Sequence, residues 1–269
     1  KSRTRKEELL LAQEELERHR QHLEETVARR TEELARSNAD LEQFASAAAH
    51  DLQDPLHVIV GFGDILKSTA GATLGEKERA YLQHMLDSAR RMRQLIDDLL
   101  KYSRVTTREK AHEPVDLTAV AANVVSDLRR RIEESGGRVE IGPLPTVVAE
   151  PSHMRQLLQN LIANSLKYRK KDVPPIVKVT GETFDDRGRS MCRLRVTDNG
   201  IGFKQEYAER IFRIFQRLHG ADEFEGTGVG LATCARIVQR HRGTIRAEGR
   251  PGEGATFTVE LPCEPSDGD

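Results

Sequence analysis

The stretch GTGVGLATCARIVQRHRGTI, residues 226–245, decides how the second half of the chain is interpreted. Three alternating glycines lead into a predicted helix from Ala232 to Arg242, which Gly243 ends. A glycine loop that opens a helix offers backbone N–H groups and the positive end of the helix dipole, which favours phosphate. Because such a loop alone is a weak signal, the neighbouring motifs must support it. The candidate phosphate-loop residues are Gly226, Thr227, Gly228, Gly230 and Leu231.

A second glycine motif, TDNGIGF at residues 197–203, places Asp198 at the end of a predicted strand. Gly200 and Gly202 permit close approach of the backbone to a flat ligand. An ionised carboxylate only accepts hydrogen bonds, so it suits the exocyclic amino group of adenine and repels the carbonyl of guanine. Taken alone, the motif is equally compatible with a plain turn between strands. Since the chain contains no Gly-Lys pair, a Walker A loop is excluded, and ATP would have to be bound in another way.

Four polar residues further upstream share one face of a predicted helix that starts near Pro151. They are Asn160, Asn164, Lys167 and Tyr168. Mg²⁺ takes few protein ligands and completes its shell with phosphates and water, so an amide oxygen here suits a nucleotide-bound Mg²⁺. The lysine would offset more of the phosphate charge. Exposed polar residues on an amphipathic helix are the alternative.

Helices and strands alternate in the second half of the chain. Helices are predicted over 119–137 and 151–171, and strands over 138–142, 176–184, 192–198, 244–249 and 255–261. This order predicts an α/β sandwich with helices on one face of a mixed sheet. Between the two glycine motifs, the pattern predicts a short helix followed by a mobile lid, with Phe212 and Phe215 in ordinary core packing.

The first part of the chain is charged and predicted to be helical. An unbroken heptad runs from Leu9 to Ala48 and is typical of a parallel coiled-coil dimer. Its polar seam positions either set the register or, as a hypothesis, let two registers compete and so carry a signal. The helical pattern continues to about Lys67 and resumes from Lys77 to Ser103. Such a hairpin would pair with a second copy as a four-helix bundle.

The segment AAAHDLQDPL, residues 47–56, lies in this helical part. On the heptad His50 faces solvent, so a separate domain could reach it, although a surface histidine is the simpler interpretation. Asp51 is placed to orient the imidazole and balance its developing charge. Pro55 frees the carbonyl of Asp51, and a hinge at this point is a hypothesis.

The motifs HDLQDP, QNLIANSLKY, DNGIGF, IFRIFQRL and GTGVGLATCARIVQRHRGTI resemble, in this order, the H, N, G1, F and G2 boxes of sensor histidine kinases, closest in wording to the phytochrome type. The resemblance covers residues 40–262. It implies a dimerisation and phosphotransfer hairpin followed by a GHKL-type ATP-binding domain that uses ATP and Mg²⁺. By this resemblance the site residues are His50 as phosphoacceptor with Asp51, Asn164 as Mg²⁺ ligand with Asn160 in support, Lys167 and Tyr168 as nucleotide contacts, Asp198 as adenine anchor, and Gly200, Gly202, Gly226, Thr227, Gly228, Gly230 and Leu231 around the pocket and lid.

The expected organisation is multidomain. Residues 1–40 form a coiled-coil signalling linker, 41–108 the helical hairpin, 109–264 the α/β-sandwich ATP-binding domain and 265–269 a disordered tail. The expected activity is autophosphorylation at His50 and transfer to an aspartate of a separate response-regulator receiver domain. A degenerate nucleotide-binding scaffold without phosphotransfer is the alternative, and a gyrase-type ATPase would not explain the exposed histidine.

Composition limits the partners and the location. A net charge of -1, from 42 basic and 43 acidic residues, gives no field to attract nucleic acid. Three cysteines without C-x-x-C spacing fit a reducing cytoplasm, and no window reaches the length of a membrane span. Since the chain starts at Lys1, a sensor domain or an anchor is expected upstream. Asp54, where many family members carry Thr or Asn, argues against phosphatase activity, because a carboxylate repels a phosphoryl group.

Overall fold

The structure is a computed structural model that describes residues 2–107, 111–218, 220, 223–224 and 226–264. The chain divides into two compact units, residues 1–50 and residues 51–269. The tail predicted at 265–269 lies outside the described residues. In the described part, no helix combines the length and the apolar character that crossing a membrane requires.

The first unit is continuous helix from residue 2 onward, part of helix α1 (Ser2–Ala70). Three seam positions of the predicted coil, Leu16, Leu23 and Val27, are 71%, 64% and 56% exposed in the single chain. The side chains of the seam residues Leu9, Leu34, Leu41 and Phe44 lie outside the described set. An apolar stripe along a charged helix is the surface that a coiled-coil partner would cover.

The second unit begins with a helical hairpin formed by the rest of α1 and by α2 (Glu76–Thr107). Leu56 and Val60 of α1 pack with Ala89 of α2 in a small core of their own. The apolar positions of α2 divide between two surfaces, since Met85 and Met92 are 48% and 47% exposed. One stripe therefore closes the hairpin, and a second stripe stays on the surface.

The remainder of the second unit is the predicted α/β sandwich. Its strands are β1 (Glu113–Asp116), β2 (Arg138–Ile141), β3 (Thr146–Ala149), β4 (Ile176–Asp186), β5 (Arg189–Asp198), β6 (Thr244–Arg250) and β7 (Gly254–Pro262). Its helices are α3 (Leu117–Asp127), α4 (Arg129–Ser135), α5 (Pro151–Lys167) and α6 (Gly230–Arg240). The main sheet has the order β2-β4-β5-β7-β6, with β2 parallel to β4 and the other neighbours antiparallel. β1 and β3 form a separate antiparallel pair.

Alternation along the strands places the core on one face of the main sheet. Cys192 and Leu194 of β5 are buried, whereas Arg193 between them pairs with Glu260 of β7 on the polar face at 2.7 Å. The helices cover the apolar face, and α5 contributes the fully buried Leu158, among others. Each such leucine stabilises the domain by about 1.5 to 3 kcal/mol. This packing fixes the polar face of α5 and the end of β5, which carry the predicted site.

Four predicted helices differ from those observed. The helix predicted over 119–137 is two helices, because the backbone leaves the helical region at Leu128 (φ -90°, ψ 3°). The helix predicted over 151–171 ends at Lys167, and the last helix begins at Gly230, before the predicted Ala232. The short helix between the glycine motifs is replaced by two 3₁₀ turns, Gln205–Tyr207 and Arg210–Phe212.

Phe215 explains why no α-helix continues there. Its φ of +62° lies in the left-handed region, and its N–H donates to the carbonyl of Gly228 at 3.1 Å. The core role predicted for the two phenylalanines is correct for Phe212, which packs against the main core. It is wrong for Phe215, which is 51% exposed. A tertiary hydrogen bond thus overrides a local helical pattern.

A buried histidine at the junction of α5 and α6 makes two hydrogen bonds that require a neutral ring. The Nδ1 atom of His241 donates to the carbonyl of Ile237 at 2.8 Å, and Nε2 accepts from the backbone N–H of Glu150 at 3.3 Å. The ring lies 5.2 Å from that of His112 and 5.4 Å from that of His153. Protonating Nε2 would direct its N–H group at the backbone N–H group of Glu150, so the neutral ring is favoured. The pKa of His241 is lowered, chiefly by burial and also by the charges of His112 and Arg240. The hydrogen bond to Ile237 and the charge of Glu150 act in the opposite direction and raise it.

We expect this histidine to make the domain sensitive to acid. With the pKa of His241 lowered on folding, the unfolded chain binds the proton more readily, so stability is full above the unfolded value of about 6.5 and is lost as pH falls towards the folded value. The variant His241→Gln should be less stable than the parent by about 1 kcal/mol at neutral pH. Its melting temperature should decline less on acidification, and parallel melting curves against pH would contradict the assignment.

Candidate functional site

A cavity opens in the second unit between α5, the ends of β5 and β7, and the segment that follows β5. Its walls are mostly apolar, as a flat aromatic ligand requires. The apolar lining comprises Ile201, Phe203, Ile211, Leu218, Leu231, Ala255 and Phe257. The other lining residues are Asn164, Tyr168, Asp198, Gly202, Gln216 and Arg217.

Asp198 is held in place by three hydrogen bonds. Its Oδ1 accepts from the N–H groups of Gly200 at 2.9 Å and Ala255 at 3.2 Å, and its Oδ2 accepts from the hydroxyl of Ser165 at 3.0 Å. The pKa of Asp198 is raised above its ordinary value, because burial has the largest effect and the three donors, which lower the pKa, offset it only in part. All three partners donate, so the arrangement suits the ionised carboxylate, which still has lone pairs for a donor in the cavity.

The glycines after Asp198 let the chain pass close to its neighbours. The N–H of Ile201 donates to the carbonyl of Tyr168 at 2.9 Å. A Cβ atom at Gly200 would lie 2.9 Å from the Oδ1 atom of Asp198, and one at Gly202, whose φ is +62°, would lie 2.7 Å from the carbonyl oxygen of Gly254. Larger residues at either position would therefore displace the carboxylate or the strand beside it.

The polar face of α5 points towards the start of α6 and the glycine loop. The Nδ2 atom of Asn160 donates to the carbonyl of Gly230 at 3.1 Å, and Asn164 lines the cavity. The ammonium group of Lys167 donates to the hydroxyl of Tyr168 at 2.9 Å and lies 4.3 Å from the centre of that ring. This face therefore brings two amides and a cation to the side of the cavity where α6 begins.

The glycine loop takes backbone conformations that other residues rarely adopt. The φ angles of Gly226 and Gly228 are +145° and +76°. A Cβ atom at Gly226 would lie 2.6 Å from the Nζ atom of Lys167, and one at Gly228 would lie 2.8 Å from the carbonyl oxygen of Gln216. The hydroxyl of Thr227, between the two glycines, donates to the carboxylate of Asp98 in α2 at 2.7 Å.

The structure brings most of the predicted site residues of the sandwich together. Those that line the cavity are Asn164, Tyr168, Asp198, Gly202 and Leu231, while Asn160, Lys167, Gly200, Gly226, Thr227, Gly228 and Gly230 surround it without lining it. His50 and Asp51 are both exposed and stand where one unit ends and the other begins.

Sequence reasoning missed three polar residues of the site. Ser165 holds Asp198, and nothing in its local sequence marks it beyond its position after Asn164. Gln216 and Arg217 line the cavity from a segment that the sequence suggested was a helix and a lid. Arg217 also donates to the carbonyls of Gly220 at 3.0 Å and of Phe224, whose ring lies 5.0 Å from that of Tyr168.

The sandwich, the carboxylate at the end of β5 and the glycine loop before α6 define an ATP-binding domain of the GHKL class. Residues 149–265 match the model of the histidine kinase-, DNA gyrase B- and HSP90-like ATPases, and residues 40–108 match the model of the His kinase A (phospho-acceptor) domain. With both domains in this order, the chain belongs to the sensor histidine kinase family.

Similar proteins lead to the same family. The phytochrome-like protein Cph1 of Synechocystis sp. is 40% identical over 238 residues, covering 88% of this chain and 31% of that protein. Cyanobacterial phytochrome A of Nostoc sp. is 39% identical over 236 residues, covering 88% of this chain and 30% of that protein. The chain thus spans about a third of the length of these relatives. The crystal structure of full-length ShkA in complex with AMPPNP shares 25% identity, with a TM-score of 0.61, and the match covers 82% of this chain and 45% of that one.

Proposed function

We propose that the chain is the kinase core of a two-component sensor, which transfers the γ-phosphoryl group of ATP to His50 and then to an aspartate of a response-regulator receiver domain. The observation that carries this proposal is the Asp198 carboxylate, held by donors beside an apolar cavity and next to a glycine loop that opens a helix. In this proposal residues 1–40 form the coiled-coil linker, residues 41–108 the phosphotransfer hairpin and residues 109–264 the ATP-binding domain.

The residues around the cavity fit ATP as substrate. Asp198 would accept from the adenine amino group, and Tyr168 and Leu231 would contact the nucleotide. The loop from Gly226 to Gly230 would face the phosphates, with Lys167 offsetting their charge. Asn164, supported by Asn160, would hold a nucleotide-bound Mg²⁺, whose chemistry is to neutralise charge on the phosphates.

The chemistry at His50 needs one nitrogen lone pair and one N–H. The unprotonated ring nitrogen attacks the γ-phosphorus in line, the bond from phosphorus to the bridging oxygen breaks, and ADP leaves with that electron pair. The other ring nitrogen keeps its proton. Asp51 would accept a hydrogen bond from that N–H group and balance the positive charge of the ring. A receiver carboxylate then takes the phosphoryl group and regenerates neutral histidine.

One labelling experiment tests the activity. The whole chain is incubated with γ-phosphate-labelled ATP and Mg²⁺, and the label should be stable in alkali and lost in acid, as a phosphoramidate is. It should map to the peptide that contains His50, and α-phosphate-labelled ATP should leave the protein unlabelled. A chain that binds ATP without becoming labelled would favour the alternative, a signalling scaffold without phosphotransfer.

We also propose a homodimer through the coiled coil and a four-helix bundle. The hairpin leaves an apolar stripe exposed, including Phe62 at 69% and Met85 at 48%. Replacing both by glutamate should raise the dissociation constant of the dimer without unfolding the hairpin, because neither side chain is in its core and the coiled coil alone would then hold the two chains together. Light scattering after size-exclusion chromatography measures the mass. The control is Val173→Glu, an exposed apolar site in the sandwich, and a dissociation constant of the double variant equal to that of the parent would contradict this interface.

Dephosphorylation of the receiver is not included, because the exposed carboxylate of Asp54 would repel a phosphoryl group. A reducing cytoplasm fits the three unpaired thiols, Cys192, Cys234 and Cys263.

A further inference from the structure

The last turns of α2 pack on α6 within the second unit. Val105 of α2 is 3% exposed and belongs to the main core of the sandwich. The guanidinium carbon of Arg236 in α6 lies 5.2 Å from the ring centre of Tyr102 in α2. The hairpin and the ATP-binding domain therefore share an interface that has no part in the proposed phosphoryl transfer.

A carboxylate of α2 at this interface already accepts the hydrogen bond that the hydroxyl of the glycine loop can donate. The Oδ2 atom of Asp98 accepts from the hydroxyl of Thr227 at 2.7 Å, and its Oδ1 atom lies 3.7 Å from the ammonium group of Lys101. The side chain of Asp98 is 23% exposed, whereas that of Lys101 is 60% exposed. The loop hydroxyl is thus already bonded to an anion that is mostly shielded from water.

The position of Asp98 conflicts with that of a nucleotide. If the loop before α6 receives phosphates, as proposed, their negative charge approaches a carboxylate that is bonded to the same loop. Like charges at short range in a partly shielded site repel each other more strongly than in water. The same hydroxyl also cannot donate its single hydrogen to Asp98 and to a phosphate oxygen at once.

The neighbouring carboxylate connects the same turn of α2 to the phosphoacceptor segment. The Nε2 atom of Gln53 donates to Asp97 at 2.6 Å, and Gln53 follows His50 by three positions in α1. Two consecutive aspartates of α2 thus bind the helix next to the phosphoacceptor and the loop next to the phosphates. Because these two aspartates are adjacent in the chain, a displacement of one of them would be passed directly to the other.

We propose that the hydrogen bond from Thr227 to Asp98 is an autoinhibitory latch, which holds the ATP-binding domain on the hairpin and which the phosphates of ATP must displace. This inference rests on the proposed function, because it requires phosphates at the loop. Binding and unlatching are reciprocal, so the latch weakens nucleotide binding by the same factor by which nucleotide weakens the latch. Release of the loop frees the domain to leave α2 and deliver ATP to His50.

The test compares Asp98→Ala and Asp98→Asn with the parent in the whole chain. Affinity for a non-hydrolysable ATP analogue is measured by calorimetry, and the initial rate of His50 labelling is measured with ATP. Asp98→Ala should bind the analogue about fivefold more tightly or better, and the gain should shrink at high salt. Asp98→Asn, which can still accept the hydroxyl but carries no charge, should show a smaller gain. Labelling at subsaturating ATP should rise in the same order.

The control is Asp87→Ala, an exposed aspartate earlier in α2 that pairs with Gln83 and Arg90, and its affinity and rate should match those of the parent. Equal affinity in parent and Asp98→Ala, or slower labelling in the variant, would overturn the latch. Failure of the parent itself to bind nucleotide would instead overturn the proposed function. Hydrogen exchange gives a test without substitution, because the analogue should raise exchange in α2 around Asp98 in the parent, and unchanged exchange would also refute the latch.

Discussion

Substituting His50 by alanine is expected to abolish labelling by γ-phosphate-labelled ATP, a loss of roughly a hundredfold at least, because the attacking nitrogen is removed. Nucleotide affinity should stay within about twofold of the parent, since the cavity lies in the sandwich and His50 is not among its lining residues. Alanine is the best helix former, so α1 should persist through the substituted position. Rates of labelling and calorimetric titration with ADP measure the two quantities separately.

A second histidine on the same helix provides the matched control for this substitution. His57 is also exposed and follows His50 by seven positions, so His57→Ala changes the same side chain on the same helix. It should leave the labelling rate unchanged. Asp51→Asn should fall between the two, with a loss of about tenfold to a hundredfold, because the amide can still orient the ring but cannot balance its charge. If acid-labile label persisted in His50→Ala, a residue other than His50 would be the phosphoacceptor.

The parts of the site that the sequence predicted are those whose chemistry is carried by neighbouring residues. Asp198 and the glycines after it form one local unit, since the carboxylate accepts from an N–H only two positions away. The loop from Gly226 to Gly230 and the helix that follows are likewise contiguous. Spacing along one helix was enough to place Asn160 and Asn164 on a common face. Local chemistry of this kind can be deduced from residue types alone.

The parts that the sequence did not predict depend on contacts between distant segments. Ser165 and Ala255 hold Asp198 from 33 and 57 residues away in sequence. Phe215 adopts a left-handed backbone where its N–H meets Gly228, although its own segment has helical periodicity. Asp98 reaches Thr227 across 129 positions. Only the packed fold brings such partners together, and a single sequence holds no local signal for them.

The fold class itself followed from the order of elements, while details of their ends did not. The order of helices and strands predicted helices on one face of a mixed sheet, and the burial observed along β5 and β7 alternates as a sheet with one covered face requires. The break at Leu128 between α3 and α4 has no proline or glycine to mark it. Its cause is tertiary, because Leu128 is 5% exposed and belongs to the core, which the chain must turn to reach.

Asp198→Asn is expected to weaken ADP binding by at least about tenfold, close to the 1.5 to 3 kcal/mol of a hydrogen bond to a charged group. The amide keeps the size of the carboxylate, and its oxygen can still accept from Gly200 and Ala255. Its NH₂ group replaces the Oδ2 atom and can donate to the hydroxyl of Ser165 after that hydroxyl rotates. The domain should therefore remain folded, while the adenine amino group meets a donor in place of an acceptor.

The preference for adenine should change together with the affinity. An ionised carboxylate repels the carbonyl of guanine, whereas the amide of Asp198→Asn can donate to it. The ratio of the Kd values for GDP and ADP should consequently fall by about tenfold or more, which calorimetry on both nucleotides measures. Asp185→Asn, an exposed aspartate in β4 that accepts from the N–H of Gly188, is the matched control and should leave both Kd values unchanged. If Asp198→Asn kept the ADP affinity and the nucleotide preference of the parent, Asp198 would not be the adenine anchor, and the cavity beside it would have to bind another part of the ligand.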